Sequence, residues 1–175
     1  MARITWAPEV IDGVLAALRA LDGYRAPTDT TDGVTVYDGP EALYYGDLSG
    51  SYVIVGYGGE DTIDPGDPSD DASEGTVSVR ALAPTSPKEN AESLRCLAVY
   101  QTGDADVSAA RTAVVAIGSA VDGALRAAPR VGVTPDSGGA QVLWVQVTDL
   151  ALRNYFRGTL LIAELRFTLT YSTRT

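Results

Sequence analysis

Apolar residues recur along this chain at two spacings, 3.6 and 2.0 residues, and each spacing marks a kind of element. Ile11, Val14, Leu15, Leu18 and Leu21 repeat at i, i+3, i+4, i+7 and i+10 behind Pro8 and Glu9, which suit the first turn of a helix; the spacing predicts one amphipathic helix ending near Gly23. The polar stretch from Tyr24 to Asp32, with Pro27, reads as a connector. GVTVYDGP then predicts a short strand closed by a turn at Asp38, Gly39 and Pro40, and SYVIVGYG, from Ser51, a β-branched and aromatic second strand. TVSVRAL sets Val77, Val79 and Ala81 on one face and Thr76, Ser78 and Arg80 on the other; LRCLAVYQ repeats the strand pattern, and the two read as neighbours. Asp104 or Asp106 can cap a second helix whose Val107, Ala110, Val114, Ile117, Val121 and Leu125 keep the helical period until Pro129 stops it. The last segment is the most regular. Leu161, Ala163, Leu165, Phe167, Leu169 and Tyr171 alternate with Ile162, Glu164, Arg166, Thr168 and Thr170, giving one apolar and one largely polar face. QVLWVQV, from Gln141, is the strand before it, and Asp149 to Gly158 joins the two as a long hairpin arm.

Runs of strands with two separated helices, each amphipathic on one side, point to the α+β class. The expected architecture is a single mainly antiparallel β-sheet with both helices packed on one face and a long C-terminal β-hairpin arm. No internal repeat or second core is visible, so residues 1–175 read as one domain.

Charge changes this picture in one place. The chain has 175 residues and a formal charge of −10, and seven acids (Glu60, Asp61, Asp64, Asp67, Asp70, Asp71 and Glu74) fall with two prolines and no base between positions 60 and 74. That run reads as a solvated acidic loop inserted between strands. An acidic balance disfavours an electrostatic grip on nucleic acid, which needs Lys and Arg against phosphates. With no histidine there is no Ser-His-Asp or Cys-His pair, no histidine-ligated zinc and no imidazole proton shuttle. The one cysteine, Cys96, cannot close a disulfide within the chain and reads as a small hydrophobe in a strand. The apolar stretches fall well short of the ~20 residues a membrane span requires, and MARITWAPEV lacks the basic-then-apolar order of a signal peptide.

Chemical motifs are absent. GYGGED, from Gly56, begins like a dinucleotide-binding glycine loop, but its sixth position is Asp61 and acidic, proline-containing sequence follows where a helix N-terminus should hold pyrophosphate. An EF-hand register centred on Gly66 would put Asp61, Ile63 and Pro65 at ligand positions and Ala72 in place of the bidentate glutamate, so it fails. There is no G-x-S-x-G elbow, no Walker loop and no C-x-x-C. No residue is therefore assigned a catalytic, cofactor-binding or metal-binding role, and no cofactor is expected. The best candidates are for contact. Arg153, Asn154, Tyr155, Phe156 and Arg157 gather at the arm's tip, the arginine-plus-aromatic composition enriched in interfaces, while Asp61, Asp64, Asp67, Asp70 and Asp71 offer the opposite sign. A basic arm and an acidic loop on one chain suit head-to-tail contact between copies.

The stretches VTVYDGP from Val34, YVIVGYGGED from Tyr52, AVYQTGDADVSAARTAVVAIGSAVDGALRAAP from Ala98 and VLWVQVTDLALRNYFRGTLLIAELRFTLTYSTR from Val142 resemble the tail terminator proteins of long-tailed bacteriophages, of the type found in actinobacterial phages and prophages. With the N-terminal helix they cover nearly the whole chain. The resemblance implies a small α+β subunit of the virion, made in the bacterial cytoplasm, that forms a hexameric ring at the tail–neck junction. There it would stop polymerisation of the tail tube protein and present its other face to a head-proximal stopper or neck protein, with viral DNA passing through the lumen without specific binding. It implies no catalysis, cofactor or membrane. The acidic run between Asp61 and Glu74 matches no element of that family. The alternatives are another neck or tail-completion connector and, from a different class, a small histidine-free enzyme or ligand-binding domain.

Overall fold

In a computed structural model the described residues are 5–29, 32–39, 50–56, 78–80, 89–137 and 139–174. They form α1 (Ala7–Arg19), β1 (Tyr24–Arg25), β2 (Val34–Asp38), β3 (Tyr52–Val55), β4 (Ser78–Arg80), β5 (Glu89–Thr102), α2 (Val107–Ala127), β6 (Gln141–Arg157) and β7 (Leu160–Arg174). The acidic run, with Asp61, Asp64, Asp67, Asp70 and Asp71, lies outside them, as do Val77 and Ala81.

The class is α+β, and the sheet is mixed: most of its pairing is antiparallel, as expected, but two pairs at one edge are parallel. Its order is β1-β2-β3-β5-β7-β6, with β4 pairing beside β5. The β1–β2 and β2–β3 pairs are parallel, Val36 lying against Val53; the pairs made by β5 and β7 are antiparallel. Parallel neighbours need a crossover connection. The turn expected at Asp38, Gly39 and Pro40 runs out of the described residues at Pro40, and its pattern carried no sign that β2 and β3 run parallel. The presumed connector from Tyr24 contains β1, too short to show a pattern of its own.

The two helices share one core on one face of the sheet. Val10, Val14, Leu15 and Leu18 of α1 and Ala110, Val114, Ile117, Val121 and Leu125 of α2 are buried with Val36, Val53, Val55, Cys96 and the odd-numbered apolar residues of β7. Asp106 caps α2, its carboxylate accepting from the backbone N–H of Ser108 and Ala109 at 2.9 and 3.0 Å. Two glycines mark where layers touch. A Cβ on Gly13 would stand 2.2 Å from the Val131 carbonyl oxygen in the α2–β6 connection, and one on Gly118 would stand 2.3 Å from Leu165 Cδ2. At Gly13 the neighbour is backbone, so only a residue without a side chain lets α1 come that close to the connection; at Gly118 it is the end of a leucine side chain.

The reverse face is less polar than the alternation suggested. Tyr37, Tyr52, Ile54, Leu97, Val99 and Ile162 form a second buried cluster there, with Tyr37 and Tyr52 edge to face at 6.2 Å.

Candidate functional site

The hairpin arm is paired strand almost to its tip. Asp149 to Arg157 belongs to β6, which runs unbroken in pairing from Ala151↔Arg166 to Arg157↔Leu160 and turns at Gly158. A register shift between Thr148 and Ala151, with Asp149 at φ +49, inserts one residue and divides the hairpin into a base and a distal half.

Alternation then sorts the five arm residues. Arg153, Tyr155 and Arg157 lie on the reverse face, Asn154 and Phe156 on the helix face. Tyr155 is half-withdrawn: its ring packs against the reverse-face cluster and its hydroxyl donates to Glu164 Oε1 at 2.6 Å. Glu164, only 1 % exposed, also faces Arg166 Nη2 at 3.7 Å. Burial pushes the Tyr155 hydroxyl well above its ordinary pKa, and donation to the Glu164 carboxylate adds to the rise. The phenol is held as a neutral donor, and Tyr155 is structural.

Phe156 has the opposite fate. It is 57 % exposed; the same hairpin also exposes Leu150 at 65 %, Leu152 at 42 % and Leu160 at 42 %, and the described residues' other large exposed apolar side chain is Val115 on α2. Asn154, between Leu152 and Phe156, keeps its buried side-chain oxygen without a hydrogen-bond partner. Arg153 and Arg157 are exposed. On the distal β6 strand, Leu152 and Phe156 thus stand exposed on the helix face, while Arg153 and Arg157 stand on the reverse face, with Leu160 opposite Arg157.

β6 is also an edge of the sheet. At its base the edge is covered: the Val145 N–H donates to the Pro129 carbonyl at 2.8 Å. Continuing the antiparallel alternation through the register shift turns the main-chain groups of Leu152, Asn154 and Phe156 away from β7 as well. The sequence pattern placed the arginines and Phe156 at the arm's tip, and they are exposed there. It missed Leu150, Leu152 and Leu160, whose alternation looks like that of core residues, and Glu164, which read as one polar position among several.

Elsewhere the polar side chains serve structure. Thr5 and Tyr171 both donate to Glu92 Oε2, Thr5 at 2.5 Å, which ties the entry to α1 onto β5 and β7. Burial pushes the Cys96 thiol up to about 12, so it is unreactive. Among the described residues no group of three or more metal-ligating side chains converges, and no helix is long and apolar enough to cross a membrane.

No family model and no curated protein matches the chain. Among solved structures, a chain from the virion of a native gene transfer agent particle aligns over 96 % of this chain and 99 % of its own, at 15 % identity and a TM-score of 0.49. Likeness at that level says nothing of function.

Proposed function

We propose that this chain is a structural subunit of a phage-like virion, and within it a tail terminator: a ring former that caps the head-proximal end of the tail tube and receives the neck. The observation that carries the reading is the distal β6–β7 hairpin, where the edge strand β6 exposes Leu150, Leu152 and Phe156 along with Arg153 and Arg157. An isolated domain has no use for large apolar side chains exposed along an edge strand, whereas an assembling subunit can bury them against a neighbour. The sequence resemblance supports the finer role, since its stretches coincide with β2, β3, β5 to α2, and the whole of β6 and β7. In that role the partners are further copies of the chain, the tail tube protein and a neck protein, and the acidic run from Glu60 to Glu74 repels DNA from any surface it lines.

The test is to add the purified chain to polymerising tail tubes of the same particle and measure tube length by electron microscopy. Tubes that stop growing with a ring of density at one end are expected. Tubes of unchanged length, with the chain bound to isolated necks instead, would favour the other connector role.

A further inference from the structure

We infer that the two edges of the sheet are the two halves of one contact, the distal β6 edge of one copy docking on the β1 edge of the next. The strand order places β6 and β1 at opposite ends of the sheet, so each subunit carries both halves facing apart. Their charges are opposite. The β6 edge bears exposed Arg153 and Arg157 against one exposed acid, Asp149, whereas the turns around β1 bear exposed Asp22, Asp29 and Asp32. The bases close to β1 are directed inward: Arg25 Nε donates to Thr35 Oγ1 at 3.1 Å, and Arg19 Nη2 donates to the Val36 carbonyl at 2.9 Å. Both guanidinium groups keep their charge but are half-buried, so three exposed acids outweigh them at that edge, in a chain whose overall charge is −10.

Like charges disfavour the simpler alternative. A two-fold pairing of two distal β6 edges brings the arginines of both copies opposite or diagonal to one another, which destabilises it. Opposite edges meeting head to tail avoid this and give a heterologous contact, the kind that closes into a ring or continues as a filament. Leu152 and Phe156 supply the apolar area, and the outward main-chain groups of β6 meet an edge strand of the same sheet in the neighbour. The inference deepens the ring reading and rests on it only for the number of copies.

The experiment measures mass by analytical ultracentrifugation, on the full chain, across concentration and salt. The wild type should associate, less so at high salt. Arg153→Glu with Arg157→Glu, and separately Asp22→Arg with Asp32→Arg, should each weaken association on the order of tenfold or more while melting as the wild type does. Carrying both pairs of changes in one chain restores opposite signs and should restore the mass, as should mixing the two single-edge variants. A wild type that stays monomeric at millimolar concentration overturns the inference, and so does a single-edge variant of unchanged mass, or a combined variant that melts normally yet stays apart. Tube capping separates this from the ring reading. Capping that survives both single-edge changes removes the inference and leaves the reading, whereas edge-dependent association without capping does the reverse.

Discussion

The base and the distal half of the β6–β7 hairpin share one pattern and meet different fates. In the base, Val142 and Val145 of β6 and Phe167, Leu169 and Tyr171 of β7 alternate inward and are buried beneath the helical layer. In the distal half, Leu152 and Phe156 alternate just as regularly onto the same face, yet stand exposed. Helix α2 reaches Leu165 on β7, where Gly118 lets it settle, and its cover ends before Leu152, the partner of Leu165 on β6. Alternation therefore states which side of a strand is apolar. Whether that side is covered depends on where the next layer stops.

The largest effect should come from the covered half. Leu169 is fully buried, and Leu169→Ala should lower stability by about 2–5 kcal/mol, read as a fall in the denaturant midpoint. A smaller loss would show that the base is packed no better than the distal half, and would erase the contrast. The cover itself is tested at Gly13. In an ordinary helix interior Gly→Ala gains about 1 kcal/mol. At this position the new Cβ meets a backbone carbonyl of the α2–β6 connection, which has no rotamer to give, so Gly13→Ala should instead cost about 1–3 kcal/mol in the same measurement. A stabilised variant would mean that the connection moves freely over α1.

How much of this was legible in the sequence differs by element. Helix α2 was readable end to end, because Asp106, the period from Val107 to Leu125 and Pro129 are all local signals. The inward face of β7 was equally plain. The parallel pairs were not, since a pattern of faces carries no record of neighbours, and β1 has only two residues. The reverse-face cluster was hidden because Ile162, Glu164 and Arg166 read together as a mixed polar face, whereas burial separates them: Ile162 and Glu164 are buried and Arg166 is not. At the candidate site the arginines were visible as composition. The different fates of Tyr155 and Phe156 were not, because adjacent residues on a strand point to opposite faces, and only one of those faces offers Tyr155 a buried carboxylate.

Within the distal half, Tyr155 sharpens the comparison by pH. Tyr155→Phe leaves Glu164 buried without its phenol donor and should cost roughly 1–3 kcal/mol. The hydroxyl ionises near 10.0 when unperturbed and higher in the fold, so the protein form that is stabilised is the protonated one. Its contribution is complete below pH 10, and is lost as pH rises from there through the folded value. Melting temperature against pH should thus fall less steeply above pH 10 in Tyr155→Phe than in the wild type. Tyr171, raised by burial and by donation to Glu92, still supplies part of the alkaline loss. Identical alkaline slopes would mean that Tyr155 is solvated and belongs with Phe156.

Phe156 should give the smallest change in stability, and that is the point of testing it. More than half exposed in the subunit, it loses little contact with its own chain when truncated, so Phe156→Ser should shift the denaturant midpoint by less than about 0.5 kcal/mol. Its neighbour Tyr155, one residue away, should cost several times more. If instead Phe156→Ser destabilises the isolated subunit as a core phenylalanine would, the ring packs on its own chain and is part of the fold. A mass that falls while the midpoint holds assigns the side chain to contact between subunits, because only an interface gives a large apolar residue a role that the folded monomer does not register.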